Sequence, residues 1–302
     1  MMNILEISGL KKHFGEKQVL RGVELVVPEN RVYGFVGRNG AGKTTTMKII
    51  LGLLKADEGE VRVCGEKAHY GNTATNRFIG YLPDVPEYYS FMNPAEYLRF
   101  CGEIAGMNAK DIRTRSEELL RLVGLGNEKH RIKGFSRGMK QRLGIAQALL
   151  GRPKLLICDE PTSALDPMGR KEILDVLVAA KEETTILFST HILSDVEHIC
   201  DEMALLNEGK IVMQGSIEDV KRNRRSNSTE IRMDREQDMK ALEDAFPDLQ
   251  RDASGNLILK DPVKMPEILR FMADKKLDPA RIEKQEATLE DIFLEQIQGK
   301  QS

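Results

Sequence analysis

The 302-residue sequence predicts an α/β core with a small α+β domain appended to it, and three observations carry the prediction. A short apolar run at residues 32–36 leads directly into a glycine-rich phosphate-loop pattern. Two later apolar runs, at residues 154–160 and 184–189, have the length of buried strands. Strand and helix patterns alternate again after residue 222, which indicates a separate accessory domain.

Composition and charge exclude several function classes. The 45 basic and 47 acidic residues give a formal net charge of −2, so the whole chain has no electrostatic attraction to nucleic acid or to an anionic membrane. No apolar run approaches the ~18 residues of a membrane helix, and the N-terminus lacks a secretory signal, so we expect a cytoplasmic protein. The four cysteines form no C-x-x-C pair and are expected to be buried structural thiols. They are Cys64, Cys101, Cys158 and Cys200.

Residues 3–28 have a β-like pattern, with short apolar pieces around ILEI and alternation at Val23, Leu25 and Val27, which predicts a small antiparallel sheet ahead of the phosphate loop. Phe14 lies in the predicted turn KKHFGEK. Its ring is either a partly buried packing residue or a flat platform for a stacked base, and the residues alone favour packing.

The segment GRNGAGKTT fits the pattern G-x-x-x-x-G-K-[ST]. Its glycines allow a tight turn that directs several N–H groups at one anion, at the positive end of the following helix. Lys43 would reach the terminal phosphates of a nucleotide, and the Thr44 hydroxyl would help to hold Mg²⁺. The predicted nucleotide-binding loop comprises Gly37, Arg38, Asn39, Gly40, Ala41, Gly42, Lys43, Thr44 and Thr45.

A helix is predicted after the loop to about Leu54, followed by strands at residues 60–64 and 78–82. Pro94 follows Asn93 in the arrangement of a helix start. Two helices are predicted from there, at residues 95–106 and 109–123, and they form a helical subdomain that interrupts the α/β body.

Ser136 is suited to cap the N-terminus of an amphipathic helix. The strand that follows, KLLICDE, ends in Asp159 and Glu160. A buried strand can tolerate adjacent carboxylates only where a cation or hydrogen bonds compensate their charge, unless its end is solvated. Beside a phosphate loop, Asp159 is assigned to Mg²⁺ and Glu160 to polarising the attacking water.

SALD (residues 163–166) predicts a turn before a helix at residues 168–180, and the strand at 184–189 ends in Thr190 and His191. A lone histidine after a strand is usually structural. Ligands bind at the carboxyl ends of parallel strands, however, so His191 is a candidate phosphate contact. A hairpin at residues 203–213 is predicted to complete the core.

Residues 221–228, KRNRRSNS, are polar and basic, and they predict a linker. A solvated hinge is favoured over a contact with acidic lipid or RNA. We therefore divide the chain into a core of residues 1–222 and an accessory α+β domain of residues 223–302. In the latter, strands are predicted near residues 230–233, 257–260 and 281–286, and helices near 237–245, 263–273 and 289–297.

These motifs together resemble those of an ATP-binding cassette (ABC) ATPase over residues 1 to about 222. GRNGAGKTT resembles the first nucleotide motif, FSRGMKQRL the signature, LLICDEP the second nucleotide motif, SALD the D-loop and STH the switch histidine. Because a chance phosphate loop would not bring the other four motifs in this order, the match is specific. It implies a phosphate-loop NTPase core of the ABC type, with an antiparallel β subdomain and a helical subdomain.

The resemblance implies ATP and Mg²⁺ as cofactors and a head-to-tail dimer, formed with a second copy or a paralogous subunit. Ser136 and Gly138 would then bind the γ-phosphate of the partner's ATP at a helix N-terminus. Glu160 would act as general base and His191 would hold the γ-phosphate. The resemblance also moves Phe14 to the adenine-stacking position, against the packing preference.

The sequence departs from the family's pattern at two places. Asp84 occupies the position usually filled by the Q-loop glutamine, where it could still bind Mg²⁺ through oxygen. In the signature, Arg137 and Met139 replace glycine and glutamine.

The leading functional hypothesis is the ATPase subunit of a transporter whose transmembrane permease subunits are separate chains, located in the cytoplasm on the inner face of the cell membrane. Export is favoured because the tail TLEDIFLEQ resembles extensions of bacterial exporter subunits. A soluble ABC protein acting on ribosomes or DNA is the alternative, disfavoured by the single phosphate loop, and no specific nucleic acid is expected. A phosphate-loop kinase or GTPase would leave the signature unexplained and would need an N-K-x-D motif.

Overall fold

The structure, a computed structural model, describes residues 3–72, 74–222, 228–252, 254–260, 262–284, 288–290 and 292–293. The chain divides into two compact units, Met1–Ile217 and Glu218–Ser302. The predicted boundary after residue 222 lies a few residues beyond this division and stays a prediction.

Alternating short strands and helices build the first unit. Its strands and helices, in chain order, are β1 (Asn3–Phe14), β2 (Lys17–Pro28), β3 (Val32–Val36), α1 (Lys43–Ile50), β4 (Glu58–Val63), β5 (Glu66–Lys67), β6 (Ile79–Leu82), α2 (Pro94–Ile104), α3 (Ala109–Leu122), α4 (Arg137–Leu149), β7 (Leu155–Asp159), α5 (Pro167–Ala180), β8 (Thr185–Thr190), α6 (Leu193–Ile199), β9 (Glu202–Asn207) and β10 (Lys210–Ser216). A short helix, α7 (Ile217–Arg222), starts at the last residue of this unit.

Two sheets are formed by the described residues of the first unit. One is antiparallel with the order β2-β1-β4-β5, and the other has the order β10-β9-β3-β8-β7-β6. In the second sheet β9, β3, β8, β7 and β6 are parallel, and β10 pairs antiparallel with β9. The central strands β3, β7 and β8 are buried along their whole length because helices and the other sheet cover both faces.

The core of this unit joins the two sheets through α1. Leu5 and Leu25 of the antiparallel sheet, Met47 of α1, and Phe35 and Leu187 of the parallel sheet belong to one cluster of buried side chains. Helix α1 packs between both sheets, and this packing fixes it relative to β3, the strand that precedes the phosphate loop.

Helices α2 and α3 correspond to the predicted helical subdomain, and α4 packs against both of them. The Asn93 side chain accepts a hydrogen bond from the N–H of Glu96, whose carboxylate accepts from the N–H of Asn93 in return, so α2 begins with a capping box. Pro94 occupies the first turn, as predicted.

The second unit has its own sheet and core. Its elements are β11 (Thr229–Met233), α8 (Glu236–Ala245), β12 (Gln250–Arg251), β13 (Leu257–Leu259), α9 (Met265–Lys275) and β14 (Pro279–Lys284). The strands run antiparallel in the order β12-β13-β11-β14 among the described residues. Ile231, Leu242, Leu257 and Ile268 are fully buried in its core.

Some predictions for the second unit fall partly on residues that the structure does not describe. Residues 223–227 of the predicted linker, the last two residues of the strand at 281–286, and residue 291 and residues 294–297 of the last predicted helix lie outside the described residues. Within the described part of that helix, the N–H of Ile292 donates to the carbonyl of Thr288, the spacing of one helical turn.

One prediction needs correction, and one helix was not predicted. Cys158 is buried, but Cys64, Cys101 and Cys200 are partly exposed, since each lies at a turn or on a helix near the surface. Helix α6 directly follows the strand that ends before His191 and was not predicted. Its signal is present in the sequence, because Leu193, Val196 and Ile199 recur at a spacing of three and are all buried.

Candidate functional site

Four neighbouring strands of the parallel sheet end at the same edge and deliver the motif residues there. In the order β3-β8-β7-β6, these strands lead into the phosphate loop, His191, the Asp159–Glu160 pair and Asp84. Their ends are level because Val36 pairs with Thr190, Asp159 with Ser189, and Leu82 with Cys158. Ligands of open parallel sheets bind at this carboxyl edge.

Two glycines of the loop occupy positions that no other residue could take without displacing its surroundings. Gly42 has φ 115°, and a Cβ there would lie 2.6 Å from Cδ2 of Leu20. A Cβ at Gly37 would lie 2.5 Å from the carbonyl oxygen of Leu206. The turn therefore brings the backbone close to the sheet before α1 starts at Lys43. The N–H groups in the first turn of α1 have no intrahelical acceptor and can bind an anion.

Lys43 is almost fully covered and is held by backbone and carboxylate oxygens. Its Nζ donates to the carbonyl of Gly37 at 2.5 Å and lies 3.0 Å from Oε1 of Glu160. In the protein without nucleotide, the Lys43 ammonium group and the Glu160 carboxylate thus compensate each other's charge.

Thr44, Asp159 and Ser189 form a hydrogen-bonded chain at the strand ends. The Thr44 hydroxyl donates to Oδ2 of Asp159 at 2.8 Å, and the Ser189 hydroxyl donates to Oδ1 at 2.7 Å. Mg²⁺ at a nucleotide site is typically bound by one or two protein oxygens, while phosphates and waters provide its other ligands. The neighbouring Thr44 hydroxyl and Asp159 carboxylate are oxygens of this kind. The residues therefore fit the metal, although the described residues contain no group of three or more His, Cys, Asp or Glu side chains that could hold an ion alone.

Glu160 occupies a strained backbone position at the end of β7. Its φ is 50°, in the left-handed region that is unfavourable for a residue with a long side chain. Its N–H donates to the carbonyl of Ser189 at 3.1 Å, and its Oε2 lies 2.8 Å from Nδ1 of His191. This conformation turns the carboxylate toward both Lys43 and His191. The backbone strain at Glu160 therefore serves to position a functional group.

A cavity of about 300 Å³ opens at this edge of the sheet. Most of its lining was predicted from the sequence, whereas Val19 and Ser163 were not. Val19 belongs to β2, far away in sequence, and carries no motif. Ser163 opens the SALD segment, three residues after Glu160, and could have been included on that ground. The lining residues are Val19, Asn39, Gly40, Gly42, Lys43, Thr44, Thr45, Asp84, Glu160, Ser163 and His191.

Asp84 joins the cavity to helix α4. Its Oδ1 lies 3.3 Å from Nη2 of Arg137, and its backbone carbonyl accepts a hydrogen bond of 2.6 Å from the Gln141 side chain. Burial raises the pKa of Asp84, and the nearby Arg137 charge opposes this shift. The two departures from the family's pattern, at positions 84 and 137, therefore meet in one ion pair.

The remaining predicted contacts lie outside the cavity lining. The Ser136 hydroxyl caps α4 by accepting from the N–H of Met139 at 3.2 Å, as the N-cap prediction requires. A Cβ at Gly138 would have its nearest neighbouring atoms 4.0 Å away, so this helix start is open. Phe14 ends β1 with 50% of its surface exposed, so half of the ring is covered and its role in base stacking stays a prediction.

Comparison with known proteins agrees with this architecture. Residues 20–163 match the ABC transporter family, and residues 215–297 match the family described as "ATP-binding protein DrrA1-3-like, C-terminal domain". The chain is similar to the bacitracin transport ATP-binding protein BcrA of Bacillus licheniformis, with 33% identity over 99% of both chains. It is also similar to the uncharacterized ABC transporter ATP-binding protein YxlF of Bacillus subtilis, with 42% identity over 74% of this chain and 75% of the relative.

Solved structures give the same result. The chain resembles cbiO1 of Clostridium perfringens, described as part of the ABC transporter complex cbiONQ, with a TM-score of 0.68, 26% identity, and coverage of 82% of this chain and 97% of that chain. No helix in the described part of the chain is long and apolar enough to cross a membrane. Since the five motifs, the shared sheet edge of the phosphate loop, the acidic pair and His191, and near full-length relatives agree, this chain belongs to the ATP-hydrolysing ATP-binding proteins of the ABC transporter family.

Proposed function

We propose that this protein hydrolyses Mg²⁺-bound ATP as a dimer on the inner face of the cell membrane and thereby drives export through separate transmembrane subunits. The observation that supports the proposal most is the division of the motifs. One cavity collects the phosphate loop, Glu160 and His191, while Ser136 and Gly138 lie outside its lining. A second copy or a paralogous subunit would supply that missing signature half.

Within the cavity each residue has a distinct proposed task. Lys43 would move from Glu160 to the terminal phosphates, because a phosphate group offers more negative charge than a carboxylate. Glu160, released from Lys43, would accept a proton from the attacking water, and His191 would hold the γ-phosphate from the neighbouring strand end.

Thr44 and Asp159 would hold Mg²⁺, which would compensate the negative charge of the phosphates. Asp84, which also lines the cavity, would be a further oxygen ligand, in competition with its contact to Arg137. Phe14 would stack on the adenine ring.

Docking to a membrane subunit is supported by an exposed apolar surface beside Asp84. Val85, Tyr89 and Phe91 are 65%, 51% and 62% exposed, although large apolar side chains are usually covered. These three residues are called the loop patch here. An apolar segment of a permease subunit would bury them, which would couple the partner to Asp84 in the adjoining nucleotide cavity.

The transported substrate is proposed from the relatives' names. BcrA is named for bacitracin transport, and the similar SrtF of Streptococcus pyogenes, 39% identical over 213 residues, is named for lantibiotic transport. We propose that antibiotics of this kind are the exported substrates.

Affinity capture from detergent-solubilised membranes tests the transport function. The wild-type chain is expected to retain a multi-span membrane protein, and Phe91→Glu in the loop patch is expected to lose it. Val178→Glu is the matched control, because Val178 is also exposed but lies on α5. Recovery of ribosomes without any membrane protein would overturn the proposal in favour of a soluble ABC ATPase.

A further inference from the structure

The segment that carries Phe14 is held by one carboxylate from the bend that directly precedes β4. Oδ1 of Asp57 lies 2.8 Å from Nζ of Lys12. Its Oδ2 accepts a hydrogen bond of 2.6 Å from the N–H of His13 and lies 3.2 Å from Nδ1 of the same residue. The N–H of Asp57 in turn donates to the carbonyl of Lys11 at 3.0 Å. Asp57 therefore holds the three residues that directly precede Phe14.

The backbone needs such an anchor at this place. Strand β1 pairs irregularly with β2 between Leu10 and Lys11 and again between Lys12 and His13, and its pairing with β4 is interrupted between Ser8 and Lys11. Each irregularity removes regular ladder bonds and redirects a side chain. The contacts of Asp57 replace the lost ladder bonds immediately before the exposed ring.

Lys12 transmits the position of Asp57 to the ring itself. Its Nζ lies 5.5 Å from the centroid of the Phe14 ring, within the range of a cation–π contact, and its side chain is only 12% exposed. One face of the ring is thereby occupied by a fixed ammonium group. Half of the Phe14 surface remains exposed, which leaves room for a flat partner.

We propose that Asp57 is a positioning residue for nucleotide binding: through Lys12 and the backbone of His13 it fixes Phe14 with one ring face directed to the adenine of ATP. The inference rests on the proposed function, in which Phe14 stacks on that base. Because the segment is already ordered in the free protein, less conformational entropy is lost when ATP binds. The effect concerns the base alone, since Asp57 is not among the residues that line the phosphate cavity.

The test compares a ligand that has a base with one that lacks it. Asp57→Ala is expected to weaken ATP binding about two- to tenfold, the cost of ordering one or two side chains on binding. Binding of inorganic tripolyphosphate, measured by calorimetry on the same full-length variant, should not change. Asp57→Asn keeps an acceptor for His13 but loses the charge that holds Lys12, so its effect on ATP should be intermediate.

Glu60→Ala is the matched control. Glu60 lies on β4 of the same sheet and pairs with Arg62 and Lys67 rather than with the Phe14 segment. It should leave the affinity for both ligands unchanged. Equal weakening of ATP and tripolyphosphate by Asp57→Ala, or no loss of ATP affinity, would overturn the inference.

A spectroscopic probe separates failure of the inference from failure of the stacking role. The chain contains no tryptophan, so Phe14→Trp introduces a single indole whose emission should change with ATP and stay constant with tripolyphosphate. If calorimetry shows ATP binding but the emission does not respond, the stacking role itself is wrong. If the emission responds and adding Asp57→Ala leaves the ATP titration unaltered, Phe14 stacks but Asp57 does not position it.

Discussion

Glu160 shows most directly how a residue's backbone position serves chemistry. A non-glycine residue with φ near 50° costs on the order of 1–3 kcal/mol, which the surrounding structure must offset. Here the offset comes from its N–H bonded to Ser189 and from its carboxylate between Lys43 and His191. A relaxed backbone at this strand end would direct the carboxylate away from the cavity.

Glu160→Gln should retain ATP binding and lose turnover roughly 10²- to 10⁴-fold, because an amide keeps the shape of the side chain but cannot accept a proton from water. The ATP-bound variant should also accumulate as a dimer. Phosphate release and size-exclusion chromatography measure the two effects. Glu182→Gln, which changes an exposed carboxylate outside the cavity, is the control, and wild-type turnover in Glu160→Gln would remove Glu160 as the base.

Lys43→Ala should weaken ATP binding, since the ammonium group is the one lysine charge among the residues that line the cavity. We expect a loss of about tenfold or more, in line with charge-assisted hydrogen bonds of about 1.5–3 kcal/mol. Lys48→Ala, an exposed lysine on the same helix, should bind normally. Unchanged affinity of Lys43→Ala in a calorimetric titration would contradict the phosphate-loop assignment.

At the scale of elements, Arg115 on α3 connects the helical subdomain to the α/β body. Its buried guanidinium pairs with both carboxylate oxygens of Glu183, after α5, and donates to the carbonyl of Leu149 at the end of α4. The pairing lowers the pKa of Glu183, chiefly through the hydrogen bond from Arg115. One side chain thus fixes α3 to two other elements.

Arg115→Ala should destabilise the fold by about 2–4 kcal/mol, because it opens a cavity and leaves the Leu149 carbonyl without its guanidinium donor. Arg115→Met should cost less, since it fills most of the volume and removes the Nε atom, which is buried without a hydrogen-bond partner among the described residues. Urea unfolding measures both. Equal losses in the two variants would show that packing contributes little here.

At the scale of the whole molecule, each of the two units has a separate core of buried side chains. The strands that meet at the sheet edge, β3, β6, β7 and β8, all belong to the first unit. ATP binding should therefore need this unit alone.

A chain that ends after Lys221 should bind ATP within about twofold of the full-length affinity, because no residue of the cavity lining is removed. Its thermal unfolding should stay cooperative. The full-length protein measured in parallel is the reference. Loss of ATP binding in the shortened chain, with folding intact, would contradict the proposed domain boundary.

The sequence by itself determined the chemistry of this protein. Glycine spacing, the lysine and hydroxyl after it, and two carboxylates at the end of an apolar run are local patterns with local physical causes, so the phosphate loop, Asp159, Glu160 and the cap at Ser136 could all be predicted. Helix α6 was missed although its apolar spacing was present, because Leu193–Ile199 spans only about two turns, too short a stretch for periodicity to distinguish a helix from a loop.

Only the tertiary structure decided which distant residues meet. The strand order β3-β8-β7-β6 brings four motifs to one edge, adds Val19 from another sheet, and pairs Asp84 with Arg137. It also leaves Ser136 and Gly138 outside the cavity lining. Strand pairing is non-local, so no spacing along the chain encodes it, and the sequence could identify the parts of the site without giving their arrangement.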